Sequence, residues 1–366
     1  MTIASRISKW FFYLLLLPAV IALCGWQGWA WWSWASAPAR AEASAATDDG
    51  VDNAVQIQIP PGSTAQEIGE NLKELGLIRS LTAWNLWTRW QTLQEQGGSF
   101  QAGIYEISPD ESLSEIADKI WLGEVVERSF TIPEGWSIQD MATYFEEQEF
   151  FTADTFIAAT QQIPREQFPW LPEDIAQLEG FLYPDTYIVA GETTPEAIVN
   201  QMLARFEQIA LPVYEQGQSA YNLLEWVTLA SIVEREAVVG EERPQIASVF
   251  ARRLQEGIPL GADPTVEYAL GIRQTPDQPL TLNQVNTPSP YNTYINPGLP
   301  PAPISSPGLA SLEVSLDPAD TDYLYFVARY DGTHVFSRTL AEHEAAQAAI
   351  QDGRAAQSET RSNTTN

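Results

Sequence analysis

Residues 55–75 read VQIQIPPGSTAQEIGENLKEL, and residues 127–147 read ERSFTIPEGWSIQDMATYFEE. Ile59–Pro60–Pro61–Gly62 aligns with Ile132–Pro133–Glu134–Gly135, Gln66 then aligns with Gln139, and the offset is 132 − 59 = 73 residues. A looser third copy starts at Ile107 and runs through Ser112 to Ile116. In each copy an alternating strand (Val55, Ile57, Ile59; Ile104, Ile107; Phe130, Ile132) meets a Pro- or Gly-containing turn and then a helix start. Thr64 with Glu67, Ser112 with Glu115, and Ser137 with Asp140 have capping-box spacing, Asp being the weaker third-position partner. Ile68, Leu72 and Leu75, then Ile116 and Ile120, follow at helical spacing. The unit is strand, turn, helix, and it predicts an α+β fold. It is first of all a packing solution, with direct carbohydrate binding as its functional alternative.

Upstream of the repeat, no charge occurs between Lys9 and Arg40, and residues 10–34 exceed the roughly 20 apolar residues that cross a bilayer. This predicts one transmembrane helix at 10–34. Arg6 and Lys9 precede it and the residues after Arg40 are acidic, so residues 1–9 are expected in the cytoplasm and the body outside. Trp26, Trp29, Trp31, Trp32 and Trp34 crowd the outer end like an interfacial belt. The alternative is a cleaved signal peptide, with Ala39–Arg40–Ala41 as a small-residue cleavage site. The Ala/Ser-rich stretch 35–54 is expected to be a flexible linker, and the Ser/Thr/Asn/Gln-rich stretch 351–366 a disordered tail.

Downstream, helical and extended segments alternate. Residues 223–234 read as a buried helix, and Ile246, Val249, Phe250 and Leu254 form the stripe of another. Residues 323–327 and 334–336 read as strands joined through Arg329–Tyr330–Asp331–Gly332. Residues 275–307, dense in Pro, Asn, Thr and Ser, form a segment too long for a simple connector, which points to function. The expected division is a small subdomain at 55–126 and a larger mixed α/β domain at 127–350.

Composition narrows the chemistry. The 366 residues carry 48 Asp+Glu against 19 Lys+Arg, a net charge of −29 that repels nucleic acid and anionic lipid faces. One Cys and two His cannot close a Cys/His metal site, and one Cys cannot form an intrachain disulfide. No cofactor or metal is expected. No Gly-x-Ser-x-Gly, P-loop or His-Glu-x-x-His pattern occurs, which leaves carboxylate chemistry.

Leu178–Glu179–Gly180–Phe181–Leu182–Tyr183–Pro184–Asp185–Thr186–Tyr187 places a carboxyl among apolar side chains. Such a setting disfavours the charged form and raises the pKa, as a general acid near neutral pH requires. An exposed or capping Glu beside a core strand is the plainer reading of the decapeptide alone. Glu234 and Glu236 end an apolar helix, where an ion pair with Arg235, Arg252 or Arg253 competes with catalysis. Asp263–Pro264–Thr265–Val266, Tyr291–Asn292–Thr293–Tyr294 and Gly298–Leu299–Pro300–Pro301 supply the aromatic faces and placed polar groups a sugar chain needs, or else a proline-stiffened structural loop.

Taken in order with Ile132–Pro133–Glu134–Gly135, Ala230 to Glu236 and His334–Val335–Phe336, these motifs resemble the YceG-like family of endolytic murein transglycosylases across about Val55 to Ile350. The resemblance implies a bacterial lyase anchored in the plasma membrane by one helix, with a LysM-like subdomain and an extracytoplasmic catalytic domain cutting nascent peptidoglycan strands. It implies glycan polymerases as partners, Glu179 as the catalytic acid, and Asp185, Glu234, Asp263, Thr265, Tyr291, Asn292 and Tyr294 as substrate-positioning residues. Leu182 stands where an aromatic residue is frequent and Tyr183 where Trp is frequent, departures that bear on substrate fit. One carboxyl suffices if the muramic acid's own 6-hydroxyl attacks, or if its 2-acetamido group assists. The rival expectations are a non-catalytic wall-binding scaffold and a hydrolytic muramidase, the latter needing a second carboxylate such as Asp185 or Glu234.

Overall fold

The computed structural model describes residues 16–39, 54–60, 62–93, 100–191, 193–217, 219–275, 278–329 and 331–364. Two compact units emerge, one made of Met1–Ser129 with Ile188–Glu192 and the other of Phe130–Tyr187 with Thr193–Asn366. The class is mixed α+β with three two-stranded sheets among the described residues.

The first unit opens with α1 (Leu17–Ala35), followed by β1 (Val55–Ile59), α2 (Ala65–Glu74), α3 (Leu81–Leu93), β2 (Gly103–Ile107) and α4 (Leu113–Leu122). Strands β1 and β2 pair antiparallel with Ile57 opposite Tyr105, so the pair and its two intervening helices make a β-α-α-β layer. Alternation puts Ile57 and Ile59 inward, where they meet Ile68 and Leu72 of α2 and Trp84 of α3. Thr64 and Ser112 both complete capping boxes, each satisfying a helix-end donor that the expected spacing had marked.

Part of the expected membrane segment, residues 10–15, lies outside the described residues. Among the described residues no helix is long and apolar enough to cross a membrane. The beginning of the expected flexible linker is not free. Ala35 is fully buried in the first unit's core with Trp32 packed against it, and the Ser36 carbonyl accepts the Leu113 N–H at 3.0 Å. The physical reason is that Leu113 opens α4 and its N–H has no partner within the helix. Residues 40–53 of that linker lie outside the described residues.

Strand β3 (Glu127–Thr131) pairs with a later strand, β4 (Thr186–Ala190), and the division between units falls within these strands. The second unit then holds α5 (Ile138–Glu147), α6 (Ala153–Thr160), α7 (Pro195–Ile209), α8 (Leu211–Gln216), α9 (Leu223–Glu236), α10 (Arg243–Glu256), α11 (Asp263–Leu270), α12 (Leu282–Val285) and α13 (Leu309–Leu316). Strands β5 (Tyr325–Ala328) and β6 (His334–Ser337) form the predicted hairpin, with Phe326 opposite Phe336. Helix α9 is the centre of this unit. Its residues from Trp226 to Val233 are all buried, and Leu229, Ile232 and Val233 share a core with Ile246 and Phe250 of α10. Trp226 adds a hydrogen bond from its indole N–H to the Leu312 carbonyl of α13, so the ring's polar edge is satisfied where its body is buried.

The last helix, α14, runs Leu340–Thr364, so regular structure covers 351–364, where the sequence predicts a disordered tail. Ala, Gln, Glu and Arg in that stretch are good helix formers, and their propensity outweighs the polarity on which the expectation rested.

Candidate active site

Glu179 lies on a tight loop between α6 and β4. The Leu178 N–H donates to the Thr160 carbonyl at the end of α6, and the Phe181 N–H donates back to the Leu178 carbonyl. Leu178, Phe181 and Leu182 are fully buried and pull this loop into the core, so Glu179 is only 3% exposed. Gly180 makes the geometry possible. Its φ is +85°, and a Cβ there would come within 2.5 Å of Pro303 and 2.9 Å of Val227.

The carboxyl faces the start of α5. The Ile138 N–H, first in that helix, donates to both Glu179 oxygens, at 3.1 and 3.2 Å. The Tyr268 hydroxyl of α11 donates to Oε2 at 3.1 Å. No cation pairs with this carboxyl among the described residues. Burial therefore prevails over the hydrogen bonds from Ile138, Tyr268 and Gly180, and with a smaller push from the nearby Asp140 charge the group is raised to about 8. Glu179 is thus a neutral carboxylic acid at pH 7, held by donors that strengthen their grip once it ionises. A proton donor that must become a base needs both properties.

Beside Glu179 opens a cavity of about 460 Å³. Ser137, Gln139, Asp140, Gln177, Arg235, Glu267, Tyr268 and Arg273 give it polar walls, and Ile138, Ile157 and Ile304 give it apolar ones. That volume and mixture suit a sugar segment. Asp140 closes the capping box of α5 with Ser137 and takes the Arg273 Nη2–H at 2.9 Å. Burial works against its charge, but the Ser137 and Arg273 contacts prevail and hold it below the usual carboxylate range. Arg235 pairs with Glu267 at 2.8 Å.

The expected positioning residues divide. Asp263, the first residue of α11, accepts from the Tyr294 hydroxyl at 2.6 Å and from Gln274 at 3.0 Å, and its neighbour Pro264 lines the cavity. Tyr291 packs on Tyr268 with ring centroids 4.9 Å apart, so it supports the residue that touches Glu179. Thr265 and Asn292 turn their polar atoms inward. Thr265 donates to the Ala262 carbonyl and meets the Thr293 hydroxyl, while Asn292 donates to the Val285 and Thr287 carbonyls. These bonds hold the α11 start and the 287–294 loop in shape. Asp185 pairs with Arg205 at 2.6 Å, and Glu234 accepts the Gly308 N–H and faces Arg243; neither lines the cavity. Glu236 as a residue is only partly buried, yet crowding at its carboxyl, joined by the Asp263 and Glu267 charges, raises it to about 8.

The Pro-rich segment earns its length behind the site. Ile304 N–H and Ser305 hydroxyl bond to Ser231 of α9, while Ser306 exchanges backbone hydrogen bonds with the Gly135–Trp136 turn that launches α5. It thereby ties the helix holding Glu179 to the unit's central helix. Sequence reasoning missed Tyr268, Asp140 as a cavity residue, and the Arg235–Arg273 pair. The capping box at Ser137 and Asp140 was the available signal, since it marks where free helix N–H groups await an anion.

The model of the YceG-like family matches residues 57–349. An endolytic murein transglycosylase of Bacillus subtilis (strain 168) is 32% identical over 308 residues, covering 80% of this chain and 84% of that protein. One of Streptococcus pneumoniae serotype 2 is 30% identical over 325 residues, covering 79% of this chain and 58% of the relative's length. A crystal structure of a yceG-like protein from Listeria monocytogenes has 30% identity and a TM-score of 0.53, covering 80% of this chain and 99% of that one.

Proposed function

Because the chain belongs to the YceG-like family, we propose that it is an endolytic murein transglycosylase, a lyase that cuts within peptidoglycan strands. The observation that carries this reading is the buried Glu179, raised to about 8 and paired with no cation among the described residues, at the edge of a sugar-sized cavity. Glu179 gives its proton to the glycosidic oxygen as the bond from muramic-acid C1 breaks. The 6-hydroxyl of the same muramic acid bonds to C1, and its proton returns to Glu179, leaving a 1,6-anhydro end. No water enters, so no second carboxylate has to activate one. The 2-acetamido group can assist at C1 before the 6-hydroxyl arrives. The hydrolytic alternative loses the carboxylates named for it, since Asp185 and Glu234 are engaged by Arg205 and Arg243 away from the cavity.

The finer reading is a protein of the bacterial plasma membrane, anchored by residues 10–34 with its body outside. The uncharged apolar run and the charge asymmetry around that segment support it. The β-α-α-β layer of the first unit suits a LysM-like glycan-binding role, and glycan polymerases are the partners that such an activity would serve.

Mass spectrometry of fragments released from isolated peptidoglycan tests the chemistry. The wild-type protein yields ends one water lighter than hydrolytic ends, and Glu179→Gln lowers their release by about 10²–10⁴-fold, the usual contribution of a general acid. Reducing ends from the wild type, or undiminished release by the variant, would overturn the assignment.

A further inference from the structure

The chain spends few cations, 19 Lys+Arg in 366 residues, yet two guanidinium groups line the cavity beside Glu179. They come from different elements, Arg235 from α9 and Arg273 from the loop after α11. Arg235 is mostly buried, its side chain 13% exposed, and is matched by Glu267. Arg273 differs. Its side chain is 51% exposed, and Nη2 bonds Asp140, but no described residue accepts from its Nε or Nη1. The two groups also repel each other, and after burial the charge of Arg273 is the chief influence lowering the pKa of Arg235. An ion pair built only to hold Asp140 would not need a second guanidinium lining the same cavity.

We propose, resting on the lyase reading, that Arg273 backed by Arg235 is a subsite for a carboxylate carried on O3 of the muramic acid next to the cut bond. A guanidinium with a free edge matches a carboxylate with two parallel hydrogen bonds, and a second cation lining the same cavity offsets the negative charges of Asp140 and Glu267. Asp140 links Arg273 to the helix whose first N–H holds Glu179. A carboxylate on Arg273 therefore fixes the sugar relative to the acid. Two sources share this chemistry: the lactyl carboxyl of a bare strand, and the free carboxyls of a peptide-substituted one. In a molecule with a net charge of −29, this subsite also tells an anionic substituent where on the surface it can dock.

The test measures kcat/KM of the full chain on three strand preparations: peptide-bearing, peptide-bearing with carboxyls capped beforehand as methylamides, and enzymatically stripped to the lactyl carboxylate. Capping is expected to lower the wild-type kcat/KM about tenfold, the effect of losing one charge-assisted contact. Arg273→Gln should lose about as much on uncapped strands and show no further loss on capping, with Arg273→Lys intermediate. If stripped strands match peptide-bearing ones, the lactyl carboxylate freed by stripping fills the subsite as well as the peptide carboxyls do; if they fall to the capped level, only the peptide carboxyls fill it. Anhydro products released equally from capped and uncapped strands by the wild type overturn the subsite and leave the lyase reading standing. So does an Arg273→Gln protein that keeps the full sensitivity to capping. Absence of anhydro ends from all three strands overturns the lyase reading and the subsite with it.

Discussion

Two carboxyl groups meet the first turn of α5, and they are opposites. Asp140 sits within the turn, 35% exposed at its side chain, with a serine and a guanidinium as partners, and is held ionised. Glu179 reaches the same turn from another loop, 3% exposed, with backbone N–H groups and a tyrosine hydroxyl as its donors, and is raised to about 8. The helix end offers favourable partial charge to both, worth about 0.3–1 kcal/mol at exposed sites. Burial and the missing cation decide the difference. The site thereby keeps one proton ready beside one fixed negative charge, and the negative charge helps to keep the proton in place.

The largest effect should come from disturbing how Glu179 reaches the helix. Gly180→Ala forces a side chain into a left-handed conformation, costing about 1–2 kcal/mol, and drives its Cβ into Pro303. The loop must shift to relieve this, and a displacement near 1 Å can cost about 10²-fold in rate. We expect kcat/KM to fall by at least that much while the folded protein persists. Full activity would mean that the position of Glu179 is less constrained than these contacts imply.

Asp140→Asn comes next. Asn can still accept at the helix end, but the negative neighbour of Glu179 disappears and Arg273 loses its partner. Both changes favour ionised Glu179, so its pKa falls. The acid is active only while protonated, and the alkaline limb of the kcat/KM profile, expected near pH 8 in the wild type, should move to lower pH. At pH 7 we expect a loss of a few-fold with anhydro ends retained. A loss nearer 10³-fold would instead make Asp140 an essential base and reopen the hydrolytic mechanism.

Tyr268→Phe moves the same limb the other way. The ring stays packed on Tyr291, and only the hydroxyl that stabilises ionised Glu179 is removed. The limb should rise by roughly one pH unit or less, with a loss of rate of a few-fold because the carboxylate left when Glu179 gives up its proton is less stabilised. Opposite shifts in these two variants would be hard to produce through general loosening of the fold, and shifts of the same sign would refute the account of the site's electrostatics.

Much of this was legible in the sequence because it was local. The three capped helix starts followed from residues three apart, and Leu178, Phe181 and Leu182 beside Glu179 offered a raised acid, although an exposed or capping Glu was the plainer reading of that stretch alone. What stayed hidden acts across the chain. Tyr268 lies 89 residues from Glu179, and Arg273 lies 133 residues from Asp140, so no spacing rule could join them. The same distance effect misplaced Asp185 and Glu234. Both carry the right chemistry within or near the right motif, but Arg205 and Arg243 claim their charges in the folded chain. Thr265 and Asn292 show a third case, since polar side chains that suit a sugar equally suit the carbonyls of their own loop.

Asp185 supplies the smallest expected effect and the control for the other three. It stands only six residues from Glu179, yet its carboxylate pairs with Arg205 at side-chain exposures of 33% and 36%. An ion pair so open to solvent contributes at most about 1 kcal/mol, because screening and side-chain ordering offset most of the attraction. The Asp185 carbonyl, which accepts the Ile132 N–H and joins this loop to β3, is untouched by a side-chain change. Asp185→Asn should therefore lower stability by less than about 1 kcal/mol in denaturant unfolding and keep kcat/KM within about twofold. Its alkaline limb should coincide with that of the wild type. A shift like that of Asp140→Asn would mean that charge outside the cavity sets the acidity of Glu179, and the contrast between the two carboxyls at α5 would then lose its local explanation.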